Sequence, residues 1–526
     1  MAKPKGVNQK AKWRAHSIRL AKYADRVQSV YDTLNKEIAS MVLRTGYDGS
    51  KPFRFSDYPA TKRKFDELRT QFVDEMRSVI YSGTSEEWKQ SNQIQDLLAD
   101  KVLKFYGVKK DGKKHRVYYQ SNSDALKAFQ NRKDNGLNLS KRLWNQSNDY
   151  KVEMEHCLSS AIEKGTSAVK LSKRLSKYLA DYPSLKKDYK EKFGKAVKCS
   201  DCEYRSIRIA RSEINMAYRT AEQERWKQFD FVLGYEVKTT QNGHHVSDIC
   251  DELAGRYSKG FRFVGWHPNC MCYVIPILKT EEQFWNEEEV DEIKDFPAGF
   301  CSWIDENANR IALANEKGTL PYWIKDNAKV KGCALLLSKA NESREYLQEM
   351  ADSTALKFDA KPTKVSVKKF DSLYRKVTSR ADATSIDEIK DSLRCTIVAD
   401  RKDIPHIIDE LREDEAFHRH KHQSTSYGYT GDIINVVMPN GIKAEIQVNT
   451  PEMIYAKERP SNAKRMIGED VWNAIFEKTG VEGGLGHKYY EEGRVLDVVK
   501  DLSKIKEIQK KSREYYDIFR EILLDN

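Results

Sequence analysis

Apolar residues recur every three to five positions in the N-terminal part of the chain, which is the spacing of amphipathic helices. The pattern predicts long helices over residues 16–107, with a break at Gly46, Gly49 and Pro52. Beyond them it predicts a loop or hairpin at 109–116 and further helices at 123–164 and 171–179. We therefore expect the N-terminal half to be mostly α-helical.

A different pattern begins near residue 229. Runs of β-branched and aromatic residues predict strands at 231–237, 261–264 and 273–278, the last ending at Pro276 or just after it. An acidic stretch at 287–295 then leads into a helical connector around 304–316, and Pro321 marks its boundary. The pattern indicates a small α+β domain followed by helix.

The C-terminal part has a mixed α/β pattern. It predicts a strand at 393–398 and a helix at 404–411. Two more strands, 433–437 and 444–448, flank Pro439-Asn440-Gly441, whose Asn-Gly pair favours a hairpin. A long helix is predicted over 494–524.

These patterns predict a multidomain protein, as expected for a chain too long for one hydrophobic core. The predicted order is a helical N-terminal region (1–150), a small α+β domain (151–280), a helical connector (281–345), an α+β domain with a mixed sheet (346–495) and a C-terminal helix (496–526).

Composition narrows the class of protein. Of the 526 residues, 39% are hydrophobic and 32% are charged, which is typical of globular domains. No apolar run approaches the ~20 residues that span a bilayer, and the N-terminus lacks an apolar signal core. We therefore expect a soluble protein made in a cytoplasm, with no membrane partner.

The net charge of +12 is unevenly distributed. Basic residues precede the first acid, Asp25, at Lys3, Lys5, Lys10, Lys12, Arg14, Arg19 and Lys22. Such an arm is suited to contact DNA through its phosphates. A solvated, frayed terminus is the alternative.

The nine cysteines are an odd number, which argues against a disulfide framework in a protein without an export signal. Five of them crowd into one stretch, at Cys199, Cys202, Cys250, Cys270 and Cys272. Crowded thiols in a reducing compartment suggest a metal site.

The same stretch carries a composite motif. Its pieces are Arg211-Ser212-Glu213, Asp248-Ile249-Cys250, Gly255 and His267-Pro268-Asn269-Cys270-Met271-Cys272. On these residues the chain resembles, over roughly 150–280, the Mu F-like phage head-morphogenesis family. The resemblance implies a minor capsid protein at the portal vertex that is needed for head assembly, with phage portal and capsid proteins as partners.

The cysteine-rich stretch offers six candidate zinc ligands. His267, Cys270 and Cys272 can converge from one tight turn, Cys250 could supply a fourth ligand, and Cys199-x-x-Cys202 has the spacing of a zinc knuckle. The alternative is a set of small buried side chains with a capping histidine, and a structural ion pair between Asp248 and Arg211. Nucleophilic chemistry by Cys270 with His267 is a weaker alternative, because no orienting carboxylate is evident.

A second ordered set of motifs occupies about 355–495. It consists of Lys369, Ser372 and Lys376 in one basic motif, Asp391 and Arg394 at the first core strand, Gly428-Tyr429 before the hairpin, Glu445-Ile446-Gln447-Val448-Asn449-Thr450, and His487 with Tyr490 on a helix. This set resembles the RelA/SpoT-like pyrophosphokinase fold, a small mixed sheet flanked by helices.

The resemblance implies Mg²⁺-dependent transfer of the β,γ-pyrophosphate of ATP to a hydroxyl of a nucleotide or tRNA. Asp391 and Glu445 would be catalytic and hold Mg²⁺, with Glu445 also a candidate base. The implied ATP-binding residues are Lys369, Ser372, Lys376 and Arg394. The implied acceptor-binding residues are Tyr429, Gln447, His487 and Tyr490.

Each of these residues taken singly has an ordinary structural alternative, and the chain departs from the family at several positions. Alarmone synthetases carry Ser and His where this chain has Gly431 and Ile433, and an arginine where it has Asn449. Specificity for a guanine-nucleotide acceptor is therefore open. The His-Asp pair of the companion hydrolase is missing, which is the pattern expected of a toxin or effector.

We expect a phage minor head protein, located in the virion head near the portal and in the host cytoplasm during assembly, with a role in head assembly or DNA packaging and ejection. Its C-terminal domain would be a pyrophosphokinase effector. One alternative is a purely structural minor capsid protein whose C-terminal domain is an inactive docking module. Another is a toxin fused to an unrelated adaptor.

Overall fold

The computed structural model divides the chain into two compact units. Unit 1 comprises Met1–Phe300 and Leu320–Asn327, and unit 2 comprises Cys301–Thr319 and Ala328–Asn526. The described residues are 2–110, 112–198, 201–240, 248–286, 293–378, 385–494, 496 and 500–522. No helix within these ranges is long and apolar enough to cross a membrane.

The α-helices are numbered in chain order. They are α1 (Gln9–Leu43), α2 (Pro59–Phe105), α3 (Ser123–Gln130), α4 (Leu139–Ala161), α5 (Ala168–Ala180), α6 (Tyr182–Phe193), α7 (Cys202–Gln228), α8 (Ile249–Glu252), α9 (Glu281–Trp285), α10 (Ala298–Glu316), α11 (Tyr322–Lys325), α12 (Ala328–Glu342), α13 (Arg344–Lys357), α14 (Phe370–Thr378), α15 (Ile404–Glu413), α16 (Pro451–Lys457), α17 (Pro460–Ile467), α18 (Glu469–Thr479), α19 (Leu485–Arg494) and α20 (Leu502–Glu521). Short 3₁₀ turns lie at Phe55–Asp57, Lys113–Tyr119 and Ile386–Glu388.

The β-strands form two sheets. The strands are β1 (Val232–Lys238), β2 (Gly255–Ser258), β3 (Tyr273–Leu278), β4 (Lys361–Pro362), β5 (Ser366–Val367), β6 (Leu393–Val398), β7 (Phe417–Ser424), β8 (Thr430–Val437) and β9 (Lys443–Asn449). Unit 1 holds a small antiparallel sheet in the order β2-β1-β3. Unit 2 holds the larger mixed sheet in the order β4-β6-β9-β8-β7, with β5 also paired to β6.

The core of unit 1 is helical, as the apolar periodicity predicts. Tyr31 of α1 packs edge-on against Phe72 of α2 and Tyr150 of α4, which stack on each other, and all three are fully buried or nearly so. A buried polar network also joins the long helices, because Glu87 of α2 accepts hydrogen bonds from Arg19 and contacts His16 of α1 at 2.6 Å. The predicted break between the first two helices is confirmed.

The N-terminal basic segment is not a frayed arm. Helix α1 begins at Gln9, where Asn8 caps it, and Trp13, His16 and Leu20 are buried in unit 1. The basic side chains of the segment therefore lie mainly on a packed helix. Contact of this segment with DNA stays a prediction.

Several predicted elements differ from the structure in unit 1. The helix predicted over 123–164 is split between α3 and α4, since Asn135 and Gly136 adopt positive φ angles of 51° and 76°. Residues 261–264 do not form a strand, because Phe261 and Phe263 are drawn into an aromatic cluster with Trp266. The third strand of this sheet is instead β2, which was not predicted because its sequence does not alternate between apolar and polar residues.

The strand predicted at 273–278 is confirmed as β3, which runs through Pro276 to Leu278; it is an edge strand, on which a missing N–H is tolerated. The C-terminal helix differs from its prediction. The helix predicted over 494–524 is represented by the end of α19 and by α20, while residues 495 and 497–499 lie outside the described residues. The acidic stretch at 287–292 also lies outside them.

The mixed sheet of unit 2 has a buried and an accessible face. Ala444, Ile446 and Val448 of β9 are buried and alternate with partly exposed Glu445 and Gln447. The predicted hairpin is confirmed as β8 and β9, with Gly441 at φ +84° in its turn. Strand β7 was not predicted, because this edge strand is rich in His, Lys and Arg rather than apolar residues.

The fold predicts a pH dependence for unit 1 through Glu222 of α7. Burial raises the pKa of this fully buried carboxyl from its ordinary value of 4.5 to about 8, against the opposing effects of Arg219 and of a hydrogen bond from Gln95. The folded protein therefore holds a proton that the unfolded chain releases near pH 4.5. The contribution of protonated Glu222 to the free energy of unfolding is fully present below pH 4.5 and is lost as the pH rises to about 8.

We expect Glu222→Gln to stabilise unit 1 at pH 8.5 and to change little at pH 4.5, because glutamine keeps the shape without the ionisation. The difference should be on the order of a few kcal/mol, at about 1.4 kcal/mol for each pKa unit. Thermal unfolding of the full chain at several pH values measures it. The control is Glu224→Gln, at a partly exposed position of the same helix, and an equal response of both variants would contradict the prediction.

Candidate active site

The parallel pairing of β6 with β9 brings two of the predicted residues together. Arg394 is the register partner of Glu445, and Thr396 is the partner of Gln447. Because side chains of aligned residues lie on the same face of a sheet, these four residues share the accessible face. Strand β8 completes this face, with Asn435 opposite Glu445 and Ile433 opposite Gln447.

Asp391, which precedes β6, is bound by two lysines. Its carboxylate oxygens accept hydrogen bonds from Lys368 at 2.7 Å and from Lys376 at 2.5 Å. Burial alone would raise the pKa of Asp391, but the two ammonium groups outweigh it and the pKa is lowered. Asp391 is therefore an ionised group whose two oxygens both accept hydrogen bonds.

A line of polar side chains runs along the accessible face to Tyr429. Gln447 donates a hydrogen bond to Glu445 at 2.6 Å and accepts one from Lys457 of α16 at 3.2 Å. The Lys457 ammonium group also lies 4.7 Å from the centre of the Tyr429 ring, within cation–π range. Lys457 thus links the glutamate motif to the aromatic residue predicted to hold the acceptor.

Two of the positions at which this chain departs from the family pattern, Gly431 and Asn449, lie next to each other in the structure. The Asn449 side chain is buried and donates to the Tyr429 hydroxyl at 2.9 Å and to the Thr430 carbonyl at 3.1 Å. A Cβ at Gly431 would lie 2.6 Å from the Asn449 amide nitrogen and 2.8 Å from the Tyr429 hydroxyl. Glycine at 431 is therefore what makes room for the Tyr429–Asn449 contact.

Beside this face lies a cavity of about 890 Å³ with a strongly basic lining. Its cationic residues are Arg344, Lys364, Lys369, Arg394, Lys457 and Arg465, and its lining includes one acid, Glu458. Lys369 lies 3.6 Å from Asp305, and Lys457 lies 3.4 Å from Glu458. Cations in excess over carboxylates give the cavity the charge that a polyphosphate requires.

The predicted residues are only partly gathered at this cavity. Lys369, Arg394 and Gln447 line it, and Glu445 lies beside them on β9. Ser372 is on α14 with its hydroxyl 3.4 Å from Asp371. His487 and Tyr490 are on α19, where Tyr490 packs edge-on against Tyr427, and neither is a lining residue.

Five basic residues near the site were not predicted: Arg344, Lys364, Lys368, Lys457 and Arg465. Arg344 begins a helix that precedes the first recognised motif, so no motif marks it. Lys368 adjoins the predicted Lys369, and the basic run Lys368-Lys369 is a signal that could have found it. Lys457 and Arg465 follow the glutamate motif on α16 and α17, whose packing alone turns them to the cavity.

The candidate zinc residues of unit 1 are also only partly gathered. Cys250, Cys270 and Cys272 place their sulfur atoms within 4.8 Å of one another. Cys202 instead lies at the start of α7, where its backbone N–H donates to Glu153, and Cys199 lies outside the described residues. The suggested Asp248–Arg211 ion pair is not formed, since Asp248 lies 3.6 Å from His267.

Arg394 and Glu445 on adjacent strands, with a basic cavity beside them, form the type of site that the resemblance to RelA/SpoT-like pyrophosphokinases implies. Similarity to known proteins bears out that class: the chain carries a RelA/SpoT-like pyrophosphokinase domain. A stretch of 185 residues is 35% identical to the (p)ppApp synthetase toxin Tas1 of Pseudomonas aeruginosa (strain UCBPP-PA14). That stretch is 35% of this chain, and it spans only 41% of the length of the toxin.

Solved structures give two further likenesses. The type VI effector Tas1 in complex with its immunity protein is 33% identical, over 36% of this chain and 98% of that chain, with a TM-score of 0.33. The small alarmone synthetase 1 from Bacillus subtilis is 15% identical, over 35% of this chain and 90% of that chain, with a TM-score of 0.22. No family model matches the chain, and none of these relatives bears on the Mu F-like resemblance.

The close approach at Gly431 predicts a destabilising effect of a single methyl group. Gly431→Ala should cost about 1–3 kcal/mol of unfolding free energy, the usual range for overpacking a filled site. Removing the obstructing amide should offset part of this loss, so Gly431→Ala and Asn449→Ala should be non-additive when combined.

Calorimetric melting of the full-length variants measures both effects. Gly260→Ala is the matched control, because a Cβ there meets only the Ser258 hydroxyl at 3.9 Å. A Gly431→Ala protein that melts like the wild type would refute the steric argument.

Proposed function

We propose that the protein transfers the β,γ-pyrophosphate of ATP to a hydroxyl group of an adenine nucleotide, and that this activity makes it a toxin. The observation that carries the proposal is the pairing of Arg394 with Glu445 beside the basic cavity. The name of the relative, a (p)ppApp synthetase toxin, favours adenine over the guanine nucleotide or tRNA that the sequence left open.

The basic cavity is suited to hold the triphosphate. Arg394 can contact phosphate oxygens with two nitrogens at once, and Lys364, Arg344 and Arg465 add charge around it. Neutralising the phosphates lowers the cost of bringing an oxygen nucleophile to the β-phosphorus. ATP binding is therefore assigned mainly to these cations rather than to the carboxylates.

Glu445 is suited to act as the base. The acceptor hydroxyl oxygen would form a bond to the β-phosphorus, the bond from that phosphorus to the oxygen bridging the α- and β-phosphates would break, and AMP would leave. The hydroxyl proton would pass to Glu445, which Gln447 orients through their 2.6 Å hydrogen bond. Lys457 in turn holds Gln447 at 3.2 Å.

Mg²⁺ would neutralise the phosphate oxygens when bound, and it needs only one or two carboxylates from the protein. Of the two predicted ligands, Glu445 fits better, since both oxygens of Asp391 accept hydrogen bonds from lysines. Asp391 could bind the ion only if Lys368 and Lys376 turned to the phosphates. A role for Asp391 in positioning those two lysines fits the observed contacts.

The acceptor would lie against Tyr429. Its ring is half-buried, is fixed through its hydroxyl by Asn449, and carries the Lys457 ammonium group on the ring. Since Asn449 replaces the family arginine, Lys457 supplies a cation at this ring. An altered cation beside the acceptor ring is consistent with an acceptor other than a guanine nucleotide.

For unit 1 we propose the head-protein role that its Mu F-like motif implies, in the virion head near the portal. In support, the separate pieces of the motif lie in one unit, and helix α7, which carries Arg211-Ser212-Glu213, contacts the cysteine loop because its Asn215 and Arg219 donate to the carbonyl of Cys270. A purely structural protein with an inactive C-terminal module is not favoured by the similarity to an active toxin. An immunity protein is a proposed further partner, by analogy with the relative.

Glu445→Gln should reduce pyrophosphate transfer by on the order of 100- to 10,000-fold, the usual contribution of a general base. ATP binding should be nearly unchanged, because the cavity cations remain. The assay uses the full-length protein, γ-labelled ATP, Mg²⁺ and separate adenine-nucleotide, guanine-nucleotide and tRNA acceptors. Arg394→Ala should instead weaken ATP binding.

Glu477→Gln, on the exposed surface of α18, is the matched control and should keep full activity. The same variants expressed in bacteria should separate in growth, with Glu445→Gln and Arg394→Ala relieving toxicity and Glu477→Gln leaving it unchanged. A wild-type protein that binds ATP but transfers nothing to any acceptor would refute the enzymatic proposal.

The head-protein proposal predicts that the chain truncated after residue 340 still enters phage heads. Unit 1 then retains its motif and core, since it ends at Asn327. Quantifying the truncated and full-length proteins in purified particles tests this. A soluble truncated protein that is missing from particles containing the full-length chain would refute it.

A further inference from the structure

Three thiol groups of unit 1 converge on one point. Cys250 on α8 and Cys270 and Cys272 before β3 have sulfur atoms that all lie within 4.8 Å of one another, and those of Cys250 and Cys270 are 3.9 Å apart. All three residues are at most 5% exposed. The other described buried cysteines, such as Cys333 and Cys395, do not form such a group.

Residues 267–270 form a tight turn that carries two of the candidate ligands, His267 and Cys270. The Cys270 N–H donates to the His267 carbonyl at 3.1 Å, and Asn269 adopts φ +63°. Pro268 at the second position and a left-handed residue at the third are typical of a type II turn. The turn therefore places His267 and Cys270 at its two ends.

His267 presents one ring nitrogen to the thiols. Its Nδ1 lies 2.8 Å from the Pro268 carbonyl, which can only accept, so Nδ1 must carry the proton. In the neutral ring, Nε2 is then an acceptor without a proton, and it lies 3.1 Å from the Cys250 sulfur. Neutral imidazole with a free Nε2 is the form that binds a metal, and a backbone carbonyl on the other nitrogen is a usual partner of such a ligand.

The loop that carries Cys270 and Cys272 is held by the neighbouring helices. Arg219 of α7 donates from Nη2 to the Cys270 carbonyl at 2.9 Å and to the Cys272 carbonyl at 2.8 Å. Trp13 of α1 donates to the Met271 carbonyl at 2.8 Å. A Cβ at Gly265 would come within 2.3 Å of Arg219 Nη1, so glycine is required for this arginine to reach the loop.

We propose that unit 1 binds one Zn²⁺ ion through the thiolates of Cys250, Cys270 and Cys272 and through Nε2 of His267. Tetrahedral zinc with bonds of about 2.3 Å holds its sulfur ligands roughly 3.8 Å apart, close to the separation of Cys250 and Cys270. His267 lies next to Cys250 but beyond 4.8 Å from the other two sulfurs, so its partly exposed ring turns inward on binding.

Charge also favours a metal at this position. Zinc with three thiolates carries a net charge of −1, and the guanidinium of Arg219, only 1% exposed, is a buried positive charge beside it. Two of its nitrogens, Nε and Nη1, have no hydrogen-bond partner among the described residues. With a neutral cluster of thiols, the loop would offer that buried cation only its carbonyl groups and no negative charge.

The proposed site differs from its two alternatives in ways that can be measured. A disulfide needs sulfur atoms about 2.05 Å apart and would use only two of the three thiols. Buried cysteines acting as small apolar side chains would need no histidine beside them. Four protein ligands would make the site structural rather than catalytic, so its effect should be on the stability of unit 1.

The test uses the full-length protein purified without added chelator. We expect about one zinc per chain by elemental mass spectrometry, and its loss in Cys250→Ser, Cys270→Ser and Cys272→Ser, whereas Cys333→Ser and Cys395→Ser keep it. After exchange for Co²⁺, the absorption bands should show thiolate charge transfer and tetrahedral coordination, and His267→Ala should shift them. Stripping the metal should lower the melting temperature.

A second measurement, independent of metal content, is how the effects of two cysteine substitutions on the melting temperature combine. Cys270→Ser and Cys272→Ser together should lower the melting temperature no more than either change alone, because losing one ligand already removes most of the metal-linked stability. If a cysteine variant does not fold, the test is thiol titration of the wild-type protein before and after the metal is removed with a chelator. Three more thiols, those of Cys250, Cys270 and Cys272, should react after chelation. Wild-type protein without metal, with a disulfide, or with thiols equally reactive before and after chelation overturns the proposal.

Discussion

The parallel pairing of β6 with β9 is the interaction on which the candidate active site depends. It sets Arg394 of one motif beside Glu445 of another, although the two residues are far apart in sequence. A shift of one residue in this register would turn every side chain of one strand to the opposite face. The buried residues Cys395, Ile446 and Val448 fix the register, because such a shift would expose them.

Gly431 and Asn449, two residues that depart from the family pattern, are linked in the structure. Gly431 and Asn449 are distant in sequence, but the glycine leaves the space that the asparagine amide fills, and that amide anchors Tyr429. Lys457 of helix α16 brings a positive charge to the Tyr429 ring, in place of the charge that an arginine at position 449 of strand β9 would carry. The site therefore keeps an aromatic ring, a carboxylate and a cation, with the cation at a new position.

In unit 1, helix α7 also brings together residues that are distant in the sequence. Its Glu213 binds Arg132 and Arg142, while its Asn215 and Arg219 hold the carbonyl groups of the cysteine loop. Helix α7 thus joins the cysteine loop to residues that lie far from it in the chain. Burial of these polar groups is tolerated because most of them are paired, and the cysteine loop is the main partner of Arg219.

The sequence by itself determined the helical N-terminal half, the hairpin of β8 and β9 and the pyrophosphokinase class, since periodicity, turn residues and ordered motifs are local properties. It did not determine the polar strand β7 or the two lysines that bind Asp391, because these depend on contacts between distant residues. The split of the predicted helix has a local cause, since Asn135-Gly136 is a turn signal of the same kind as Asn440-Gly441. Only the tertiary structure showed that Lys457, Arg344 and Arg465 belong to the cavity and that Cys202 does not belong to the thiol cluster, because the direction of a side chain is set by the packing of its helix and not by its position in a motif.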